Sequence, residues 1–254
     1  MTATIADICR YPVKGLTDEH LERVALAPGE GLPHDRRFAL AHGSTRFDPA
    51  APKWMPKTNF LTLMRDERLA QLRARFDPES RVLTIERAGR PVVRADATTP
   101  TGRALIGQFF AGFMGDSARG APRLVEASGH MFSDTPPKVV SIVNLASVRD
   151  LERVVRRPVD PIRFRANVYL DGVAPWAEFN WIGGEIALGG ARLRVDARIN
   201  RCAATNVDPE TAARDMNIPR ILQAGFGHVD MGIYAAVIAG GDIGVGDSLT
   251  APAP

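Results

Sequence analysis

The chain has 254 residues, 45% of them hydrophobic and 24% charged, a balance that suits a protein with a sizeable core and excludes disorder, collagen and coiled coil. Lys plus Arg outnumber Asp plus Glu by 32 to 29, a formal charge of +3, and no Lys/Arg block is long enough for a nucleic-acid arm. Two cysteines, Cys9 and Cys202, exclude a disulfide framework and any four-cysteine zinc or iron–sulfur site built from this chain alone.

In chain order, short strands are expected over residues 3–11, 21–26, 37–41, 82–86 and 92–95, separated by Pro28-Gly29, Asp77-Pro78 and Ala88-Gly89. Residues 47–60, FDPAAPKWMPKTNF, have no period of either kind and read as a loop. Residues 105–114 suit a short apolar helix, and GDSARGAP over 115–122 marks the expected boundary between units 1–118 and 119–254. A strand is expected at 124–127, then the apolar run 139–143 leads to the clearest helix, with Asn144 as N-cap and Leu145, Val148, Leu151 and Val155 near one face. Further strands are expected at 168–170, 185–188, 192–196, 233–239 and 244–249, with a helix around 220–224. Asp171-Gly172, Gly189-Gly190 and Gly240-Gly241 suit tight hairpins. The fold class is therefore mainly β (α+β), an antiparallel barrel-like core with a packed N-terminal β unit and a few helices.

The apolar run 233–239 ends at Gly240, short of the ~20 residues a membrane span needs. MTATIADICRYPVKG lacks a basic leader, so a cytoplasmic location is expected. No Walker loop, GxGxxG, HExxH or GxSxG occurs. The histidines His20, His34, His42, His130 and His228 show no ligand spacing, and no histidine metal site is expected.

The segment NRCAATNVDPET places Arg201 directly before Cys202, and a neighbouring guanidinium favours the thiolate needed for nucleophilic attack or soft-metal ligation. On residues alone the favoured reading is a small buried cysteine with its arginine in solvent, since any Arg-Cys pair satisfies the argument. Three clusters suit an anion: Tyr11-Pro12-Val13-Lys14-Gly15, His34-Asp35-Arg36-Arg37, and Arg163-Phe164-Arg165-Ala166-Asn167, whose alternate residues share a side if extended. Singly each reads as a solvated basic edge; together they suggest a buried anionic ligand.

RFRANVYLDG, the W-x-G-x-x-I-x-L-G spacing of WIGGEIALG, RCAATNVDPET and GDIGVGDSL follow in the order seen in the MOSC family, the molybdenum-cofactor sulfurase C-terminal domain group. YPVKG followed by GLPHDRRFAL resembles the β-barrel-type N-terminal domain that accompanies MOSC in amidoxime-reducing and related bacterial proteins. The resemblance spans nearly the whole chain. It implies a molybdenum–molybdopterin cofactor with Cys202 as metal ligand, a choice consistent with soft thiolate chemistry. It also implies Lys14 on the pterin phosphate, Arg36 from the Asp-Arg pair, and Arg163, Asn167 and Arg201 as the polar cradle, with Gly15, Arg165 and Asn144 in the same set. Ser147 matches the family's Ala-Ser element at a helix N-terminus that favours anions. Gly15, Ala166 and Asn144 depart from residues usual in the family, Ser, Pro, and Ser or Thr. Pyridoxal phosphate binding is a further family expectation.

The activity implied is reduction of a small N-hydroxylated substrate, an amidoxime, hydroxylamine or N-hydroxylated base, with Cys202 at the metal and Asp208, Asp230 and Tyr234 as proton handlers. Electrons are expected from a separate ferredoxin-like or flavin reductase partner, since two cysteines cannot ligate an iron–sulfur cluster beside molybdenum and no dinucleotide fingerprint occurs. The alternative is a cofactor-binding or sulfur-carrier module with no reductase activity of its own. Neither nucleic acid nor a membrane span is expected.

Overall fold

The strand that opens the chain, Thr4–Arg10, ties its two ends together. In the computed structural model, which describes residues 3–252, this strand pairs antiparallel with Val168–Asp171 and with Glu19–His20. On the same strand, Ile5 N donates to Asp247 O at 2.9 Å and Gly246 N to Ile5 O at 2.8 Å. The N-terminal strand thus belongs to the sheet of the C-terminal half, although the expected boundary at 118/119 separates them in sequence.

That sheet has eight strands in the order Leu249–Thr250, Glu185–Leu188, Ala191–Asn200, Asp230–Ala239, Val140–Asn144, Val168–Asp171, Thr4–Arg10 and Glu19–His20. The bonds from Ile5 link its two ends and curl it toward a barrel. All pairs are antiparallel except Val140–Asn144 with Val168–Asp171. Parallel neighbours need a crossover, and helix Leu145–Val155 lies in that connection.

Strand alternation decides which side each residue packs on. Ile142, Val168, Leu170 and Ile233 fill the inside of the curl with Leu193 and Val195. Their neighbours Val143 and Tyr169 face outward, joined by Met231, which the positive-φ Gly232 turns away from the side of Ile233, and are covered by Val148 and Leu151 of that helix and by Ile218 and Leu222 of helix Ile218–Phe226. The intervening part of the chain builds its own core from the meander Leu72–Asp77, Val82–Arg87, Arg90–Asp96 and the helix Pro100–Met114, which buries Ile106 and Phe110. Phe38–Ala41 pairs with Arg123–Glu126, joining this part to the second half.

The mainly β class with three helices stands, and several local expectations change. Strand Leu72–Asp77 was not expected, though Leu72, Ala74 and Phe76 are buried while Arg73, Arg75 and Asp77 are exposed. Of the three glycine turns in the second half, Gly189-Gly190 closes a hairpin between paired strands. Gly240 leads instead into Gly241–Gly244, which pairs with Arg23–Leu26, and Asp171-Gly172 ends a strand without folding back on it. Arg163 to Asn167 is not extended: Pro161–Phe164 is a short 3-10 turn capped by Asp160, and Arg165 is left-handed at φ +50°. No helix of the described residues is long and apolar enough to cross a membrane.

Candidate active site

A cavity of about 470 Å³ opens where residues 14–64 meet the curled sheet, a size within the usual range for small-molecule sites. Lys14, Gly15 and Arg36 line it from the N-terminal part, and Arg163, Arg165, Asn167, Arg201, Cys202 and Tyr234 from the C-terminal part. Residues separated by more than two hundred positions therefore line one cavity.

Lys14 follows the strand end and is buried; its Nζ donates to Phe132 O at 2.9 Å and forms an ion pair with Asp134. Gly15 is required by the backbone: φ is +85°, and a Cβ there would lie 2.7 Å from Leu61 O.

Arg36 is held by Asp35 at 2.5 Å and by Arg165 O at 2.8 Å. Asp35 in turn accepts from Tyr11 N at 2.8 Å. The guanidinium carbons of Arg36 and Arg165 each lie 4.4 Å from the centre of the Tyr11 ring, within cation–π range. Among the described residues Arg165 makes no ion pair or side-chain hydrogen bond, and Arg201 donates only to the carbonyls of Met231 and Phe164. These guanidiniums give the wall positive charge that no carboxylate pairs.

Arg163 differs. It is buried and neutralised by Asp208 at 2.7 Å and Asp215 at 2.8 Å, although its Nε has no hydrogen-bond partner among the described residues. Asn167 is also committed: its Oδ1 accepts from Ser141 N and Oγ, and its Nδ2 donates to Cys9 O. Both residues shape the wall more than they offer it free donors.

Cys202 is half-buried at the start of the short turn Ala203–Asn206. The cation on its sulfur is Lys57, whose Nζ lies 3.4 Å from Sγ and 2.9 Å from Asp134 Oδ2. The expectation assigned that part to Arg201, but the guanidinium of Arg201 is occupied by backbone carbonyls. Lys57 comes from the aperiodic proline-rich loop, and Asp134 lies beyond the first unit. Burial acts to lower the ammonium pKa of Lys57, but Asp134 and Cys202 outweigh it and hold the group above its ordinary value. Lys14 shifts the other way, lowered by burial despite Asp134. Desolvation would raise Asp134, yet the two ammonium groups hold its carboxyl well below the usual range. Tyr234 is pushed up by burial against the opposing pull of Arg201, so its hydroxyl stays protonated at neutral pH.

Four expected site residues lie elsewhere. Asp208 does not line the cavity; it accepts from Arg163 and from the backbone N–H of Glu210 and Thr211, which makes it a turn-former. Asn144 and Ser147 are fully buried away from it. Asn144 caps the helix by accepting from Ala146 N and donates to Glu178 Oε2 at 2.9 Å; Ser147 Oγ donates to Glu178 Oε1 at 2.8 Å. The place at this helix N-terminus is taken by the chain's own Glu178 carboxyl. Asp230 is also absent from the cavity wall.

The family model described as MOSC domain matches residues 129–250, and that described as MOSC N-terminal beta barrel domain matches residues 2–132. Mitochondrial amidoxime-reducing component 1 of Mus musculus is 33% identical over 88 residues, covering 35% of this chain and 25% of that protein. Molybdenum cofactor sulfurase of Danio rerio is 34% identical over 89 residues, covering 35% of this chain and 10% of that protein. These matches therefore span a quarter or less of each relative. Among solved structures, the YUAD protein from Bacillus subtilis aligns over 98% of this chain and 94% of its own at 14% identity, with a TM-score of 0.45.

Proposed function

The chain belongs to the MOSC domain family, with a MOSC N-terminal beta barrel domain ahead of the MOSC domain, and from that premise we propose that it is a molybdenum-cofactor-dependent oxidoreductase that reduces N-hydroxylated compounds. One observation carries the reading: a half-buried thiol, Cys202, stands on the wall of a cavity whose Arg165 and Arg201 have no carboxylate partner. The donor set fits a phosphorylated pterin dithiolene holding molybdenum, because such a group asks for one soft thiolate and for cations around its phosphate. Cys202 would hold the metal, and Lys14, Arg36, Arg165 and Arg201 would hold the anionic part. Pyridoxal phosphate is the poorer match, since both cavity lysines are engaged by Asp134.

When bound, the cofactor supplies two-electron oxygen-atom chemistry. The chain supplies position and protons. Lys57 carries three N–H donors, of which Asp134 and Cys202 take two. The third is available to an oxygen in the cavity. The protonated hydroxyl of Tyr234 offers a second donor to the same space. Asp134 holds both lysines in place. The electrons come from a separate reductase or ferredoxin-like partner, and two free thiols suit a cytoplasmic setting.

The test is elemental and pterin analysis of protein made in a cofactor-competent host, followed by amidoxime reduction with and without an added electron-transfer partner. Stoichiometric molybdenum and turnover that requires the partner are expected. Sustained turnover with NADH and this protein alone would sink the partner requirement. The proximity of Lys57 to Cys202 Sγ, 3.4 Å, equally suits a persulfide anion, so a sulfur-carrier role is the second reading. Sulfane sulfur on Cys202 without stable metal would favour it.

A further inference from the structure

A second group of metal-ligating side chains lies outside the cavity wall. Asp7 and Cys9 stand two residues apart on one face of strand Thr4–Arg10, and Cys9 is the register partner of His20 across the antiparallel pair. One ligand atom from each lies within 4.8 Å of the other two. None of the three lines the cavity around Cys202.

The spacing of these atoms matches a particular coordination chemistry. Cys9 Sγ is 3.5 Å from Asp7 Oδ2 and 3.7 Å from His20 Nδ1, and His20 Nδ1 is 2.9 Å from Asp7 Oδ2. A tetrahedral zinc ion with its usual bond lengths to sulfur, nitrogen and oxygen separates its donors by about 3.3 to 3.6 Å. Both sulfur edges are close to that, and the nitrogen–oxygen edge has to open by a few tenths of an ångström. Because two of the ligands share a strand and the third is paired to it, the backbone already holds the triangle.

The outer partners agree. His20 Nε2 lies 3.0 Å from Asp18 Oδ2, a carboxylate–imidazole pairing of the kind that orients metal-bound histidines, and Nδ1 faces Asp7 and Cys9. Neither Asp7 nor Asp18 makes an ion pair with Lys or Arg among the described residues; both turn to His20. Arg36 and Arg73 act on Cys9 and His20 without ion-pairing to Asp7 or Asp18. The buried Cys9 thiol stands beside these carboxylates, its Sγ 3.5 Å from Asp7 Oδ2, so thiol, imidazole and carboxylate donors converge on one point.

We propose that Asp7, Cys9 and His20 form a zinc site, oriented by Asp18, whose fourth position faces solvent beside the exposed His20 ring. Binding exchanges the metal for the Cys9 thiol proton, with a second proton leaving where His20 is imidazolium, and no electrons move. Mixed sulfur, nitrogen and oxygen donors select a borderline ion such as Zn2+ over Mg2+ or Ca2+. The arrangement of three protein ligands and one open position is that of a zinc ion accessible to water or a small ligand.

The test uses Co2+ as a spectroscopic probe on chelator-treated full-length protein carrying Cys202→Ser, so that any thiolate signal comes from Cys9. One equivalent of Co2+ should give a thiolate-to-metal charge-transfer band, release at least one proton, and be displaced by Zn2+. Asp18→Asn should weaken uptake by about 10- to 100-fold. Cys9→Ser should abolish the band. Because Cys9 packs in the core and that variant risks misfolding, His20→Ala at the exposed ring is the second arm and should weaken Co2+ uptake at least tenfold. No charge-transfer band in the Cys202→Ser protein, or unchanged uptake in His20→Ala, overturns the site.

Discussion

Two polar regions of this molecule look alike in sequence and differ in what they leave undone. At the start of helix Leu145–Val155, Asn144, Ser147 and Glu178 are completely buried and answer one another: Asn144 and Ser147 both donate to Glu178, and Trp176 N donates to Ser147 Oγ at 2.9 Å. Around Cys202 the polar groups are in surplus: Arg165 and Arg201 lack carboxylates, and Lys57 retains a free donor. A buried network that satisfies itself contributes to folding, whereas unpaired charge around a cavity is compensated only when something binds. Both regions were expected to cradle the cofactor, and the bookkeeping of donors separates them.

The largest effect expected on this contrast is at Cys202. Replacing it with serine should reduce molybdenum content to background and abolish reductase turnover, while the thermal melt changes little because the side chain is half-buried and fills no core position. Metal retained at wild-type stoichiometry in the serine variant, measured by elemental analysis, would break the reading of the cavity.

The next pair of variants sets the two regions against each other. Glu178→Ala leaves the donors of Asn144 and Ser147 unanswered inside the protein, and should cost about 2 to 4 kcal/mol of stability by denaturant melts. Cofactor retention per folded molecule should stay the same. Arg165→Gln should do the reverse, weakening pterin-phosphate retention on the order of tenfold for the loss of one charge-assisted contact, with little change in the melt. If Glu178→Ala sheds cofactor from folded protein, or Arg165→Gln does not, the division between structural and ligand-binding polar groups is wrong.

Much of the candidate cavity wall was legible because it is carried by short local signals. Cys202 after Arg201, Lys14 at a strand end before a positive-φ glycine, and Arg36 beside Asp35 all line one cavity. The helix after Asn144 was legible from its capping residue and apolar spacing, and the structure gives it as Leu145–Val155. What escaped depends on distance along the chain. Lys57 lies 145 positions from Cys202 and Lys14 lies 120 positions from Asp134, and a loop with no period offers no rule to pair them. The parallel pairing of Val140–Asn144 with Val168–Asp171 is likewise a matter of tertiary packing. Asn144 and Ser147 misled for the opposite reason: an N-cap and a helix start invite an anion, and nothing local announces that Glu178 fills the place from 31 residues beyond Ser147.

The finest test of the comparison reads a slope and not a midpoint. Burial raises the Glu178 carboxyl above its ordinary value, opposed by the hydrogen bonds from Asn144 and Ser147. With the folded pKa above the unfolded one, the folded state binds this proton more tightly. The resulting stabilisation is complete below the unfolded value of about 4.3 and is lost as pH rises through the folded value. Glu178→Gln cannot ionise, so its stability relative to the native chain should improve as pH is raised from about 4 to about 8. The absolute offset depends on how well one amide replaces a carboxylate that accepts from two donors, but the sign of the slope does not. A relative stability that stays flat or falls with pH would mean that the capped helix start welcomes the full charge, so that this network holds an anion as firmly as the cavity is proposed to do.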